Sequence, residues 1–281
     1  MSERINKSPI GPVAALVIGS IAMLLPLGWM LLTSLKTFPE VLAYPPVWWP
    51  AHPQWNNYIE AFRQFHFAGY LRNSLFLVAL NVTGTLVSCT MAAYAFAFLE
   101  WRHKNILFGL LLSSMMLPGQ VTVIPLFQLY VKLHWINTYW PLTIPSWLGC
   151  NVFGIFLLRQ FFLTIPKDYL NAARIDGASE WLILRKVIIP MASPALLTVG
   201  VFTFVGSWND LWGPLIFLHD ERLYTLPVGL MNFIGMAGTA EGTPWHLMMA
   251  VATTMMLPIV MLFFFAQKSF IEGIATAGIK E

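Results

Sequence analysis

Residues 73–99 read NSLFLVALNVTGTLVSCTMAAYAFAFL, a run without one Lys, Arg, Asp, Glu or His. A hydrocarbon core about 30 Å thick is crossed by roughly 20 helical residues, so this run by itself predicts a helix that spans a bilayer. Gly84, Ser88, Ala92, Ala93 and Ala95 within it are small enough to let a neighbouring helix approach closely. Working outward, five further runs are likewise free of Lys, Arg, Asp and Glu: Ser8 to Leu35, Asn105 to Val131, Leu133 to Leu158, Val187 to Asn209 and Gly242 to Gln267. The fifth is expected to continue past Asp210 to about Leu218. The first exceeds an ordinary signal-peptide core and lacks a small-x-small cleavage site, so it is expected to remain as helix one.

The rest of the composition agrees with a chain whose solvent is lipid. Of 281 residues, 57% are hydrophobic and 10% charged, against about 25% charged in a soluble domain, and mean hydropathy is +0.66. The net charge of +3 is spread without a basic run, which argues against a nucleic-acid partner. Cys89 and Cys150 both fall in apolar stretches and are expected to be small buried thiols. The fold class expected is all-α: a polytopic membrane protein with six transmembrane helices, one domain over residues 1–281.

Orientation follows from the basic residues, which concentrate in cytoplasmic loops. With the N-terminus inside, the inner segments hold Arg4, Lys7, Arg102, Lys104, Arg159, Lys167, Arg174, Arg185, Lys186, Lys268 and Lys280; the outer ones hold Lys36, Arg63, Arg72, Lys132 and Arg222. Eleven against five predicts both termini in the cytosol. The outer stretch from Thr37 to Tyr70, with Trp48, Trp49 and Trp55, fits an aromatic belt leading into a short helix, Asn57 to Phe67. Pro118-Gly119, Pro125, Pro141, Pro145, Gly213-Pro214 and Pro258 interrupt the spans. They fit either plain kinks in a packed bundle or a bundle that opens around a pathway.

The longest inner connection, residues 159–190, is too structured for a tether. Pro166 can start a helix and Asp168 suits its positive end; Ala172 and Ala173 favour helix, and Gly177 suits a stop. Ser179 can cap a second helix that carries Trp181, Leu182, Leu184 and Val187 toward Pro190. Such a helix-turn-helix either docks into a groove of another protein or rests on the membrane surface.

The string Asn171-Ala172-Ala173-Arg174-Ile175-Asp176-Gly177-Ala178, closed by Pro190, resembles the EAA loop of binding-protein-dependent ABC importer permeases. The resemblance extends over nearly the whole chain to the sugar-import branch, in particular the smaller six-helix permease of maltose-type transporters. Asn57-Tyr58, Asn73-Ser74, Trp208-Asn209-Asp210 with Pro214, and the tail Gly273 to Lys280 support it. It implies that the loop seats in a cleft of a cytosolic ATPase subunit, with Asn171, Ala172, Ala173, Asp176, Gly177, Ala178 and Pro190 carrying the contact. Asn171 stands where the family usually has glutamate. The resemblance further implies two ABC ATPase subunits that bind the ATP and magnesium, a second homologous permease, an extracytoplasmic solute-binding protein, and a bacterial or archaeal inner membrane. A cytoplasmic tail, residues 269–281, would reach the ATPase subunits through Gly273, Gly278 and Lys280.

Asp210 is the one carboxylate set inside an expected span, and an intramembrane acid is by default a functional candidate. With Trp208 and Asn209 it either lines the solute pathway or caps a helix break near Gly213-Pro214. Other chemistry is missing from the sequence. There is no G-x-x-x-x-G-K-S/T phosphate loop, no H-E-x-x-H zinc pattern and no G-x-S-x-G elbow, so neither ATP hydrolysis, a resident cofactor nor a metal is expected on this chain. Ser207 is expected to bond its own helix. A secondary transporter using Asp210 as an ion or proton relay is the alternative, and a membrane hydrolase using Ser207 and His246 a remote third.

Overall fold

The computed structural model describes residues 10–236 and 243–277. Every regular element among them is helical: α1 Ile10–Ser34, α2 Phe38–Leu42, α3 Asn56–Gln64, α4 Phe67–Phe98, α5 Lys104–Ser114, α6 Gly119–Lys132, α7 Trp140–Trp147, α8 Val152–Phe162 and α9 Lys167–Ile175. The chain continues through α10 Glu180–Met191, α11 Ser193–Trp208, α12 Trp212–Phe217, α13 Leu226–Met236 and α14 Trp245–Ala277. Residues Met1–Phe67 with Leu230–Leu257 form one compact unit, and Ala68–Gly229 with Pro258–Glu281 a second.

Among the described residues, four helical stretches are long and apolar enough to cross a membrane: Gly11–Ser34, Phe67–Phe98, Trp140–Phe162 and Trp245–Gln267. The third and fifth expected spans are not straight helices. Asn105 to Val131 is the pair α5 and α6, bent by 99°. The break falls at Pro118-Gly119, where proline withholds an N–H and forces its predecessor out of the helical region. Val187 to Asn209 is likewise divided: α10 runs on to Met191 and meets α11 at 81°. Pro190 and Pro194 flank that corner, and Pro194 sits in the first turn of α11, where its missing donor costs nothing. Sixteen residues at about 1.5 Å make α11 about 24 Å long, short of a full crossing without its partner. Beyond Trp208 the helix stops and a separate turn, α12, follows, so the expected continuation to Leu218 is broken at Asp210.

Smaller differences have local causes. The fourth span begins at Trp140 rather than Leu133, because His134 and Asn137 adopt positive φ (57° and 60°) and end the preceding helix. The expected helix Asn57 to Phe67 is Asn56–Gln64, stopped before His66 at φ 50°. Of the expected tail, residues 269–277 continue the helix of the last span, α14, to Ala277. Gly273 therefore sits in a helix, while Gly278 and Lys280 lie outside the described residues.

In the second unit, the core joins α4 (Cys89, Ala93, Tyr94, Ala97, Phe98) to α8 (Ile155, Leu158, Phe162), α9 (Leu170), α10 (Ile183, Leu184, Ile188) and α11 (Ala195, Val199). The 159–190 loop is thus packed on spans, not appended to them. Gly84 marks a close approach: a Cβ there would lie 2.6 Å from the Trp147 ring. α1 is the opposite case. None of its most apolar 18-residue window is buried within the chain, and Met23 is 81% exposed, as suits a helix facing lipid or another subunit.

The sequence pairs Asn57-Tyr58 and Asn73-Ser74 prove to be fasteners. Asn57 Nδ2 donates to the carbonyls of Ser34 and Lys36, both at 2.9 Å, and the Tyr58 hydroxyl lies 2.8 Å from Ser34 Oγ. Asn73 Nδ2 donates to the carbonyls of Arg222 (2.8 Å) and Tyr224 (3.0 Å), and Ser74 Oγ accepts from Leu226 N–H. Each pair satisfies buried backbone groups that an apolar residue would leave unpaired.

Candidate functional site

Two constructions concentrate polar chemistry in this chain. The first is the 159–190 loop. α9 begins after Pro166 and ends in a Schellman cap: Gly177 N–H donates to Arg174 carbonyl and Ala178 N–H to Ala173 carbonyl, both at 3.0 Å. That cap places Gly177 at φ +79°, a conformation glycine adopts without a Cβ penalty. The string Ala173 to Ala178 is therefore a helix-stop, with small Ala173 and Ala178 packed against the core where the cap closes. Ser179 Oγ then accepts from Leu182 N–H at 3.3 Å and opens α10.

The cap sorts the candidate residues onto two faces. Leu170 (1% exposed) and Ala173 point inward, while Asn171, Ala172 and Asp176 are exposed. With Tyr169 (53%), Ile175 (86%) and Trp181 (60%) they leave an outer surface that mixes polar and large apolar groups. Ala172 and Ala173, adjacent in sequence, thus serve different sides. Pro190 lies exposed at the end of α10, after a π-helical stretch over Leu184–Ile188. A π turn inserts one residue into the helical register and is a frequent mark of functional segments.

Sequence reading missed the residues that tie this loop to the bundle. Glu180 at the start of α10 accepts from Arg174 (Nε to Oε1, 2.9 Å) and from the hydroxyl of Tyr94 in α4 (2.5 Å). Arg174, followed by Tyr94, holds the Glu180 carboxyl below the usual carboxylate range. Glu180 and Arg174 carried a signal, opposite charges flanking a glycine turn. Tyr94, many residues upstream in a span, carried none.

The second construction is a polar cavity of about 460 Å³ inside the second unit, lined among others by Asn81, Thr85, Ser146, Asn151, Ser207 and Asp210, with Phe153 and Phe202 on its wall. Asn81 of α4 is its hub. Its Nδ2 donates to Ser207 Oγ of α11 at 2.9 Å, and its Oδ1 accepts from Ser146 Oγ of α7 at 3.0 Å. Ser207 is therefore engaged by a neighbouring helix, contrary to the expectation that it bonds its own; position in the bundle, not the hydroxyl's local options, decides. Ser88 extends the network by donating to the Ser146 carbonyl at 2.7 Å.

The sequence-predicted trio 208–210 separates here. Trp208 is 1% exposed and stacks on Phe204 with centroids 5.8 Å apart. Asn209 is exposed, and its Nδ2 donates to the Val205 carbonyl. Asp210 alone lines the cavity, and Oδ1 accepts from Gly213 N–H at 3.1 Å. It caps the break before α12, as one of the two sequence readings has it, and also faces the cavity. A Cβ on Gly213 would fall 2.6 Å from Asp210 Oδ2, which explains the glycine. Among the described residues, no cluster of His, Cys, Asp or Glu has metal-site geometry, and Cys89 and Cys150 are free thiols, Cys89 buried as expected and Cys150 exposed.

Residues 84–275 match the family model described as binding-protein-dependent transport system inner membrane component. The arabinooligosaccharides transport system permease protein AraQ of Halalkalibacterium halodurans is 33% identical over 74% of this chain and 72% of its own length. The trehalose/maltose transport system permease protein MalG of Thermococcus litoralis is 31% identical over 94% of this chain and 96% of its own. A crystal structure of a bacterial ABC transporter involved in the import of the acidic polysaccharide alginate contains a chain of the same fold, with TM-score 0.82 and 23% identity over 95% of this chain and 99% of that one. The helical bundle, the capped loop between its spans and the family match over two-thirds of the sequence agree: the chain is a multi-pass inner-membrane permease belonging to the binding-protein-dependent transport system inner membrane component family of ABC transporters.

Proposed function

We propose that this chain forms half of the translocation pathway of an ATP-driven importer for a sugar or a related solute such as an oligosaccharide, polyol or glycerol phosphate. The sugar assignment rests on the resemblance to AraQ and MalG. Its partners are a second, homologous permease, two cytosolic ATPase subunits that hold ATP and magnesium, and a binding protein that delivers solute on the opposite side. Residues 1–281 act as one permease domain with both termini in the cytosol, and the chain itself performs no hydrolysis.

One observation carries the mechanism: α9 is capped and packed so that its inner face grips the spans while its outer face stays bare. The outer surface, with Asn171, Ala172, Ile175 and Asp176, is the ATPase contact. Ala173, Gly177 and Ala178 hold the cap in shape behind it. When the ATPase subunits close on ATP, α9 is displaced as a rigid piece. Arg174, Glu180 and Tyr94 pass that displacement into α4, and α10 passes it through the corner at Pro190 into α11. α4 and α11 are also the helices joined by Asn81 and Ser207 at the cavity. ATP binding thus favours one accessibility of the pathway over the other through differential contacts in the two states.

The test is purification of the chain from its native membrane in mild detergent, with identification of what accompanies it and assay of ATP hydrolysis. A second permease and an ATPase stimulated by a sugar-loaded binding protein are the expected companions. A lone chain that moves solute after reconstitution without ATP would overturn the proposal and return Asp210 to the role of ion relay.

A further inference from the structure

The unit formed by Met1–Phe67 and Leu230–Leu257 contains a second cavity, of about 280 Å³, remote in chemistry from the network around Asn81. Trp29, Thr33, Lys36, Glu40, Trp245 and Met249 are among its lining residues. Lys36 is 1% exposed, and its ammonium lies 4.0 Å above the Trp29 ring centroid. Among the described residues no carboxylate comes within 4.0 Å of it and no hydrogen bond leaves it, although Glu40 acts on it electrostatically at longer range. Thr33 is 3% exposed, and its Oγ1 likewise has no partner among them. An ammonium has three donors, and the ring face occupies one side only. Buried donors of this kind are normally matched, so the wall presents an unmet demand for acceptor oxygens.

Glu40 supplies the opposite charge on the same wall. Its Oε2 accepts from the N–H and hydroxyl of Thr37, and its Oε1 from Ala51 N–H. A carboxylate offers about four acceptor positions, so one more donor can be received. A simple anion would gain from Lys36 and lose to Glu40; a group carrying phosphate and amine together meets both. Depth identifies its source. The apolar span of α1 ends at Ser34, two residues before Lys36, and that of α14 starts at Trp245. Trp48 stands edge-on to Trp29 with centroids 5.2 Å apart. Tryptophans at the ends of spans lie at the headgroup level. The exposed apolar surface of α1, including Met23 and Leu24, starts beside the cavity and offers a track for acyl chains. The volume equals that of roughly nine waters, room for a phosphoethanolamine group.

We propose that this cavity holds the headgroup of a zwitterionic aminophospholipid, its phosphate on Lys36 and Thr33, its amine toward Glu40, and its acyl chains along α1. The experiment is native mass spectrometry of the full chain with its companions, delipidated and offered dioleoyl phosphatidylethanolamine, phosphatidylglycerol or phosphatidylcholine. Phosphatidylethanolamine is expected to bind in preference to the other two. Lys36→Gln is expected to weaken it by about tenfold or more, the loss of a hydrogen bond to a charged group, and Thr33→Val by a few-fold. Glu40→Gln is expected to shift preference toward phosphatidylglycerol. Should Lys36→Gln fail to fold, the other two variants carry the same readout. Equal binding of the three lipids, or unchanged lipid retention in all soluble variants, overturns the site. Displacement by trehalose would instead make it a sugar site, capture of free O-phosphoethanolamine without any lipid would make it a soluble-metabolite site, and no ligand at all would leave it a water pocket; each rejects the lipid assignment.

Discussion

The 159–190 loop and the polar cavity are built in opposite ways. The loop's chemistry lies in one contiguous string: cap, turn and second cap follow each other from Ala172 to Leu182, and local hydrogen bonds set the shape. The cavity takes Asn81 from α4, Ser146 from α7, Ser207 from the end of α11 and Asp210 from just beyond it, residues that meet only because three helices pack together. In the proposed coupling, local bonding lets the loop be displaced as a rigid piece, whereas bonds between helices let the cavity change with the bundle.

The largest expected effect separates the two faces of α9. Ala173→Asp places an unpaired charge against the core, which costs about 3–5 kcal/mol where burial is complete; loss of folded, monodisperse protein on size-exclusion chromatography is expected. Ala172→Asp, one residue away and exposed, is expected to leave folding intact and to abolish ATPase co-purification. Equal behaviour of the two variants would erase the division of faces.

Two glycines sharpen the contrast between local geometry and packing. Gly84→Asn forces a side chain onto the Trp147 ring, and overpacking of this kind costs about 1–3 kcal/mol. Gly177 has open space but needs positive φ; asparagine adopts it readily, so Gly177→Asn is expected to cost less than Gly177→Val, for which the left-handed penalty is about 1–2 kcal/mol. Thermal unfolding in detergent ranks the three. A Gly177→Asn variant less stable than Gly177→Val would refute the Schellman cap.

Next in size is Asn81→Leu. Interhelical hydrogen bonds in membranes average about 0.6 kcal/mol, with about 1.7 as the upper range, so the variant should fold while its solute-stimulated ATPase changes its concentration dependence. An unchanged solute dependence would confine the network to structure. The smallest effect is on pH. Glu180 has its carboxyl pKa lowered by Arg174 and Tyr94, so its contribution is full above the ordinary carboxylate value of about 4.3 and fades as pH falls through the lower folded value. Glu180→Gln is expected to flatten the acid limb of the stability profile; a wild-type limb that persists unchanged in the variant removes Glu180 from it.

Legibility followed the range of the interactions involved. The helix stop at Gly177, the cap at Ser179 and the break at Pro118-Gly119 are events within a few residues, and their residue types announce them. The 99° and 81° angles at the breaks were not announced, since a proline withholds a hydrogen bond without choosing a direction. Asp210 was visible as an acid in an apolar run, yet that it caps Gly213 while facing a cavity needed the neighbouring helices. Ser207 was misassigned because a lone hydroxyl satisfies itself locally unless a partner is supplied from another helix. Asn81 and Tyr94 were ordinary polar residues in long spans until their partners, far away in sequence, came within hydrogen-bond distance.

By itself the sequence determined that the chain lives in a membrane, that it crosses by helices, and that the segment before Pro190 carries a capped helical turn. Solvent and local backbone chemistry dictate those features, and both act residue by residue. Tertiary structure alone decided which of two adjacent alanines faces the core, where the spans bend, and which side chains close around the cavity. Those outcomes depend on distances between helices, and such distances exist only once apolar faces have packed and buried polar groups have found their partners.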